Sequence, residues 1–433
     1  MQALLSFEQS PPLAVPLRFF LSAPLFIVLA GVLLVVDGGA LLGSRWSPAT
    51  LAATHLLTIG FMLQVMLGAL IQILPVVAGA NLARPALVAA LVHPAINLGA
   101  LAMAAGFLFA EARWLQLAAA LLGLGLAVFL GVAGRAVFRV PSTSPSIRGL
   151  KLALLALAAT VGSGLFMLLV LAGGWPVALP GLANLHAGWG LAGWAGVLLA
   201  AVAYVVVPMF QLTPGYPARP AWWFPPATLA ALLLSTLAVV VDAGWLNLIG
   251  RLLLAVVALA FIAQTLKLQA GRRRARPDAT FRYWQLGLGA TLAALLMLIV
   301  ETLLPAAVVL PAEWTVLLGV LVLVGGFLPF IIGMLYKIVP FLLWFDLQHR
   351  SLPGKAVPAM NKLLDEPRMR GQLHSFFAAF ALSTVSVAAP AWLAIPAGLA
   401  LIVAGAWLTH NLLRAVLRHR DFRRAGESAK MPA

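Results

Sequence analysis

The chain has 433 residues, of which 63% are hydrophobic and 9% charged, against roughly 45–50% apolar and 25% charged in soluble domains. With a mean hydropathy of +1.04, it reads as an all-α polytopic membrane protein, a single transmembrane domain over 1–433. Spans of about 20–25 residues leave room for about twelve transmembrane helices and for no separate soluble catalytic domain. The absence of Cys excludes disulfides, thiolate metal ligands, iron–sulfur clusters and a nucleophilic thiol.

Apolar runs bounded by Gly, Pro and charges predict helices at 16–41, 49–78, 85–110, 113–138, 148–173, 181–210, 223–242, 244–269, 282–305, 314–346, 372–390 and 391–417. The first lacks the basic start, short apolar core and cleavage site of a signal peptide, and is expected to be retained as a span. Most connections are short. The exception, 347–371, reads as a cytoplasmic loop, and 418–433 as a basic C-terminal tail. If the N-terminus is cytoplasmic, 25 Lys and Arg fall inside and three, Arg45, Arg113 and Arg251, fall outside. This bias predicts an even number of spans with both termini cytoplasmic. The net charge of +16 is thereby assigned to the bilayer. The clusters at Arg272–Arg274 with Arg276, and at Arg418, Arg420, Arg423 and Arg424, are topology signals and anionic-lipid anchors, and nucleic acid is not an expected partner.

An internal repeat organises the chain. GALIQILPVVAG, VAYVVVPMFQL and GMLYKIVPFLLW place Pro75, Pro208 and Pro340 at intervals of 133 and 132 residues. RWLQLAA, GWLNLIG and AWLAIPA place Trp114, Trp245 and Trp392 at intervals of 131 and 147, the longer one containing the loop. Three pseudo-repeated four-helix units, 16–138, 148–269 and 282–417, fit this arithmetic. Interfacial Trp and helix-terminal Pro are also general membrane features.

Ionisable side chains within hydrocarbon are costly, so each is a functional candidate. His55 and His186 lie 20 and 22 residues before the aligned Pro75 and Pro208. The repeat thus sets them at the same depth, and neutral imidazole is a common ligand of haem iron and copper. In the third repeat Leu318, Gly319 and Val320 stand there instead. Gly190 and Gly193 follow His186 at i+4 and i+7, where missing side chains would admit a flat macrocycle or another helix. Met62 and Met66 follow His55 at i+7 and i+11, a stripe acceptable to soft copper and equally to core packing. His93, next to Pro94, is a further candidate ligand or the mark of a helix break. His374 and His410 read as interfacial. His349 and His419 fall in basic, solvated segments. Asp37, Asp242, Glu301 and Lys337 read as helix-end snorkelling groups or members of an ion path. No nucleotide-binding, zinc-protease, esterase-elbow or paired-carboxylate motif occurs in a suitable context.

Twelve helices in three four-helix units, with His55 and His186 near the outer ends of the second and sixth, resemble the catalytic subunit of the haem-copper oxidase and nitric oxide reductase superfamily. The chain is also similar to the shorter NnrS-type nitric-oxide-response membrane proteins. In the superfamily the second helix supplies a low-spin haem ligand, which His55 matches, and the sixth a copper ligand, which His186 matches. The histidine pairs of the seventh and tenth helices have no counterpart here, so a complete binuclear centre is not expected. The resemblance implies a divergent member in the bacterial inner membrane, binding haem b and/or copper through His55 and His186 with Met62, Met66 and His93 as further metal candidates. It implies a role in nitric oxide response or respiratory electron transfer, as an oxidoreductase or its relative, beside a partner membrane subunit or electron donor. The rival readings are a cofactor-free secondary transporter and an assembly subunit without a ligand of its own.

Overall fold

The structure, a computed structural model, describes residues 10–305, 307–349 and 357–428. Twelve long helices follow one another: α1 Ala14–Asp37, α2 Pro48–Ala78, α3 Pro85–Phe109, α4 Ala112–Phe138, α5 Pro145–Gly173, α6 Leu179–Gln211, α7 Ala218–Val240, α8 Gly244–Ala270, α9 Ala279–Leu303, α10 Ala312–His349, α11 Glu366–Ser386 and α12 Pro390–Ser428. Among the described residues no strand occurs, and eleven of these helices are long and apolar enough to cross a membrane. The exception is α11, whose first five residues include Glu366, Arg368 and Arg370.

Several helices start earlier than their apolar runs because a polar cap lies upstream. The Ser47 and Ser144 side chains accept from the backbone N–H groups of Thr50 and Ile147, and each precedes a proline at the first helical position. Asp278 caps α9 in the same way, accepting from the Phe281 N–H at 2.9 Å. The expected basic tail is instead helical as far as Ser428, continuous with α12. The loop expected at 347–371 is shortened by α10 and α11 and contains a 3-10 turn at Met360–Lys362. Of these two segments, 350–356 and 429–433 lie outside the described residues.

The chain divides into two compact units. One consists of the described residues of Met1–Ser10, Leu70–Arg276 and Thr291–Pro311, with α3–α8 at its centre. Its core is built from α5, against which α4, α6 and α7 pack, and is filled by Phe129, Leu150, Val197 and Val207.

The other consists of the described residues of Pro11–Ala69, Pro277–Ala290 and Ala312–Ala433. Here α1 and α12 meet through bare backbone: a Cβ added to Gly398 would lie 2.7 Å from the Gly31 carbonyl oxygen, a small-residue crossing of the kind that brings membrane helices together. In α1, Pro24 lacks the N–H that would bond one turn back. At this interruption the buried Gln64 of α2 donates to the Phe19 carbonyl at 3.2 Å and to Ser22 Oγ at 2.6 Å.

Three helices contain π-helical turns: Leu56–Leu63 in α2, Trp189–Gly196 in α6 and Leu321–Phe327 in α10. Each begins nineteen residues before the helix proline, Pro75, Pro208 or Pro340. Each also holds a glycine fifteen residues before that proline: Gly60, against Phe26 of α1; Gly193, against Ala156 of α5; and Gly325, against Ala290 of α9. Seven residues before the prolines, Gly68, Ala201 and Gly333 meet Phe19, Gly149 and Tyr283 of those same three helices. While the host positions rise by eight, the partner positions fall by seven in every case, so three antiparallel helix pairs share one packing register.

Candidate functional site

His55 ends the α-helical first part of α2, directly before the π turns. Its Nδ1 lies 2.8 Å from the Leu51 carbonyl oxygen. A carbonyl only accepts, so Nδ1 carries the proton and the lone pair is left on Nε2.

His186 of α6 reaches the same state through a different partner. Its Nδ1 lies 3.1 Å from the Thr160 carbonyl of α5 and 3.2 Å from Ser163 Oγ. The imidazole rests on bare backbone: a Cβ on Gly164 would lie 2.8 Å from His186 Cε1. Thr160, Ser163 and Gly164 therefore position this ring. They escaped the sequence reading because their run, TVGSG, looks like ordinary small-residue packing. Anchoring of Nδ1–H on a carbonyl is how proteins orient a histidine whose Nε2 binds a metal. The donor chemistry of each histidine thus fits one haem-iron or copper ligand.

The glycines after His186 pack helices. A Cβ on Gly190 would lie 3.1 Å from Thr160 Cγ2, and one on Gly193 would lie 2.9 Å from Leu232 of α7 and 3.0 Å from Ala156 of α5. Met62 and Met66 are buried. Their alignment with His55 assumed 3.6 residues per turn, and the wider i→i+5 turns of Leu56–Leu63 break that alignment. His93 is half-buried in α3, which runs on through Pro94 without a break. The Asn97 side chain donates to the His93 carbonyl at 2.7 Å. His374 and His410 are exposed. Among the described residues, no group of three or more His, Cys, Asp and Glu side chains could hold a metal ion by itself.

Several charged residues sit in pairs where the sequence suggested snorkelling or solvent. Lys337 of α10 is buried, its Nζ 2.7 Å from Asp278 Oδ2. Burial pushes the Asp278 carboxyl up, but the Lys337 ammonium and hydrogen bonds from Lys337, Thr280 and Phe281 outweigh it and hold the group below the usual carboxylate range. Glu301 pairs with Arg251 at 2.7 Å between α9 and α8. His419 is buried, not solvated, and its Nε2 meets Asp346 Oδ2 at 2.9 Å. His349 is exposed at the end of α10, packed on Phe345. Asp37 and Asp242 are exposed at helix ends.

Around the Lys337 pair lies a buried polar group that the sequence reading missed. The Tyr283 hydroxyl donates to Gln372 Oε1, and the Gln372 amide donates to the Ala404 carbonyl at 3.0 Å. Asn411 Nδ2 donates to the Tyr336 hydroxyl at 2.9 Å. These bonds tie α9–α12 together.

No family model matches the sequence, and no curated protein matches it.

Proposed function

We propose that this polytopic protein lies in the bacterial inner membrane and binds haem b and/or copper through Nε2 of His55 and His186, in nitric oxide response or respiratory electron transfer. The observation that carries this reading is the shared tautomer: two histidines on helices of equal register, each with Nδ1–H donated to a backbone carbonyl. A bound haem or copper would supply the redox chemistry. Leu51 and Thr160 hold the rings, and Ser163 and Gly164 shape the seat of His186. The common register of α2, α6 and α10 on α1, α5 and α9 supports three repeated four-helix units, in which α11 joins the eleven other long helices as a span. Both termini are then cytoplasmic.

One observation favours the secondary-transporter reading. Lys337 of α10 forms a buried ion pair with Asp278, just before the start of α9, and an ionisable group on a spanning helix commonly serves an ion or substrate path. The visible spectrum and metal content of the detergent-purified protein separate the two. A Soret band or stoichiometric copper that falls in His55→Gln and in His186→Gln, but not in His349→Gln, supports ligation. A colourless, metal-free preparation from cells supplied with haem and copper refutes it.

A further inference from the structure

The two units treat their cations differently. In the unit of α1 and α10–α12, the end where α10 and α12 finish is rich in carboxylates. Asp278 holds Lys337, Asp365 holds Arg418 at 3.0 Å, Glu366 holds Arg370 at 3.6 Å, and Asp346 holds His419.

In the unit of α3–α8, consider the end where α4, α6 and α8 finish and α5 and α7 begin. Arg135, Arg139, Arg148, Lys151, Arg219 and the run from Arg272 to Arg276 gather there. The acids between Leu70 and Arg276 are Glu111 and Asp242, both at the opposite helix ends, and Glu301 lies near the far end of α9. A preference for cations on one membrane side accounts for their sign.

At one corner the cations meet aromatic rings. The Arg148 guanidinium lies 5.6 Å and 5.8 Å from the ring centres of Trp222 and Trp223, and it donates to the Trp222 carbonyl at 3.3 Å. Lys151 Nζ lies 5.9 Å from the Phe138 ring and donates to the Val140 carbonyl and to Ser142 Oγ at 3.0 Å. Carbonyls and a hydroxyl orient these two cations but leave their charge uncancelled. Beside them Trp223 is 66% exposed, Phe138 49% and Leu155 50%. Fixed cations above exposed indole and phenyl rings match the boundary between phosphate headgroups and acyl chains.

We propose that this corner, formed by the end of α4 and the starts of α5 and α7, binds an anionic phospholipid. Arg148 and Lys151 take the phosphate, the guanidinium supplying a planar fork of donors. The acyl chains run along Phe138, Trp223 and Leu155.

Native mass spectrometry of the purified full chain, with equimolar phosphatidylglycerol and phosphatidylcholine added, tests this. The expected result is at least five-fold preferential retention of phosphatidylglycerol. Arg148→Gln with Lys151→Gln should bring the ratio to within two-fold of unity, whereas Arg84→Gln with Lys267→Gln, which removes the same charge from exposed positions at the same end, should leave it. No preference in the parent protein, or equal loss in both double variants, overturns the proposal. The latter would show a distributed field in place of a site. If Arg148→Gln unfolds the chain, Lys151→Gln with Trp223→Leu reads the same corner, and an unchanged ratio there also overturns it.

Discussion

Replacing Lys337 by Met tests whether the pair with Asp278 is a buried ionic contact or a screened surface one. The two side chains are 11% and 14% exposed, and their charged atoms are 2.7 Å apart. Losing one partner of such a pair typically costs ~3–5 kcal/mol, because the other charge is left buried, whereas replacing both can be close to neutral. Asp278 keeps its hydrogen bonds from Thr280 and Phe281 in the Lys337→Met variant, which places the expected loss at about 3 kcal/mol, the low end of that range. Asp278→Asn keeps the oxygen that caps α9 and strands the ammonium, and should cost about as much. The double variant should recover most of the loss, giving a coupling of about 2 kcal/mol or more. The chain has thirteen Trp and no Cys, so intrinsic fluorescence during thermal or denaturant unfolding is the suitable assay. A thermal midpoint drop on the order of 5 °C is expected for each single variant. Singles that unfold like the parent, with coupling below about 0.5 kcal/mol, would refute burial of the pair.

The pH dependence follows from the same contact. The Asp278 carboxyl is held below its ordinary range when folded, so its contribution to stability is complete above that range and is lost as pH falls through the depressed value. Midpoints recorded from neutral pH downward should fall below roughly pH 4 in the parent, and less steeply in Lys337→Met; parallel curves would argue against the assignment. Gly164→Leu should lower haem or copper content as much as His186→Gln does, because the new side chain takes the place of the imidazole; full cofactor content would show that the ring's seat is not needed. Deleting Thr58 should convert the π turns of α2 to α-helix and turn His55 by roughly 100° relative to Pro75. The fold would survive and the His55 ligand would be lost, whereas a cofactor content equal to the parent's would show that the π turns do not aim His55.

Helix positions were legible because a hydrocarbon-spanning segment needs a long apolar run, and such runs end at Gly, Pro or charge. What lies beyond those runs was less so. The first turns of α5 and α9 contain Pro145, Ser146 and Thr280, and only the caps at Ser144 and Asp278 draw them into helix. The extension of α12 through Arg418, Arg420, Arg423 and Arg424 follows from the good helix propensity of Arg and from the Arg418 bond to Asp365. Hydropathy weighs only the charge of such residues. His419 looked solvated for the same reason, since its partner Asp346 is 73 positions away. Lys337 and Asp278 are 59 positions apart, and no local pattern marks a long-range pair as joined.

The π turns explain why the distance of each histidine along its own helix from Pro75 or Pro208 was legible and its facing relative to that proline was not. Counting back from Pro75 and Pro208 measures distance along the helix, which one wide turn changes little. Facing is a sum of angles, and every i→i+5 turn between histidine and proline shifts that sum away from the 3.6-residue value. The Met62 stripe failed on this account, because it was drawn across Leu56–Leu63. The packing register survived because Gly60 and Gly68, like Gly325 and Gly333, stand in helices whose wide turns begin at the same distance from the proline. A displacement common to the compared helices leaves their match intact. In α10 the wide turns are present while Leu318, Gly319 and Val320 stand in place of a histidine. The π turns therefore do not depend on an imidazole. They belong to the packing of α2, α6 and α10 on α1, α5 and α9, and the histidines of α2 and α6 are additions to a backbone feature that α10 keeps without one.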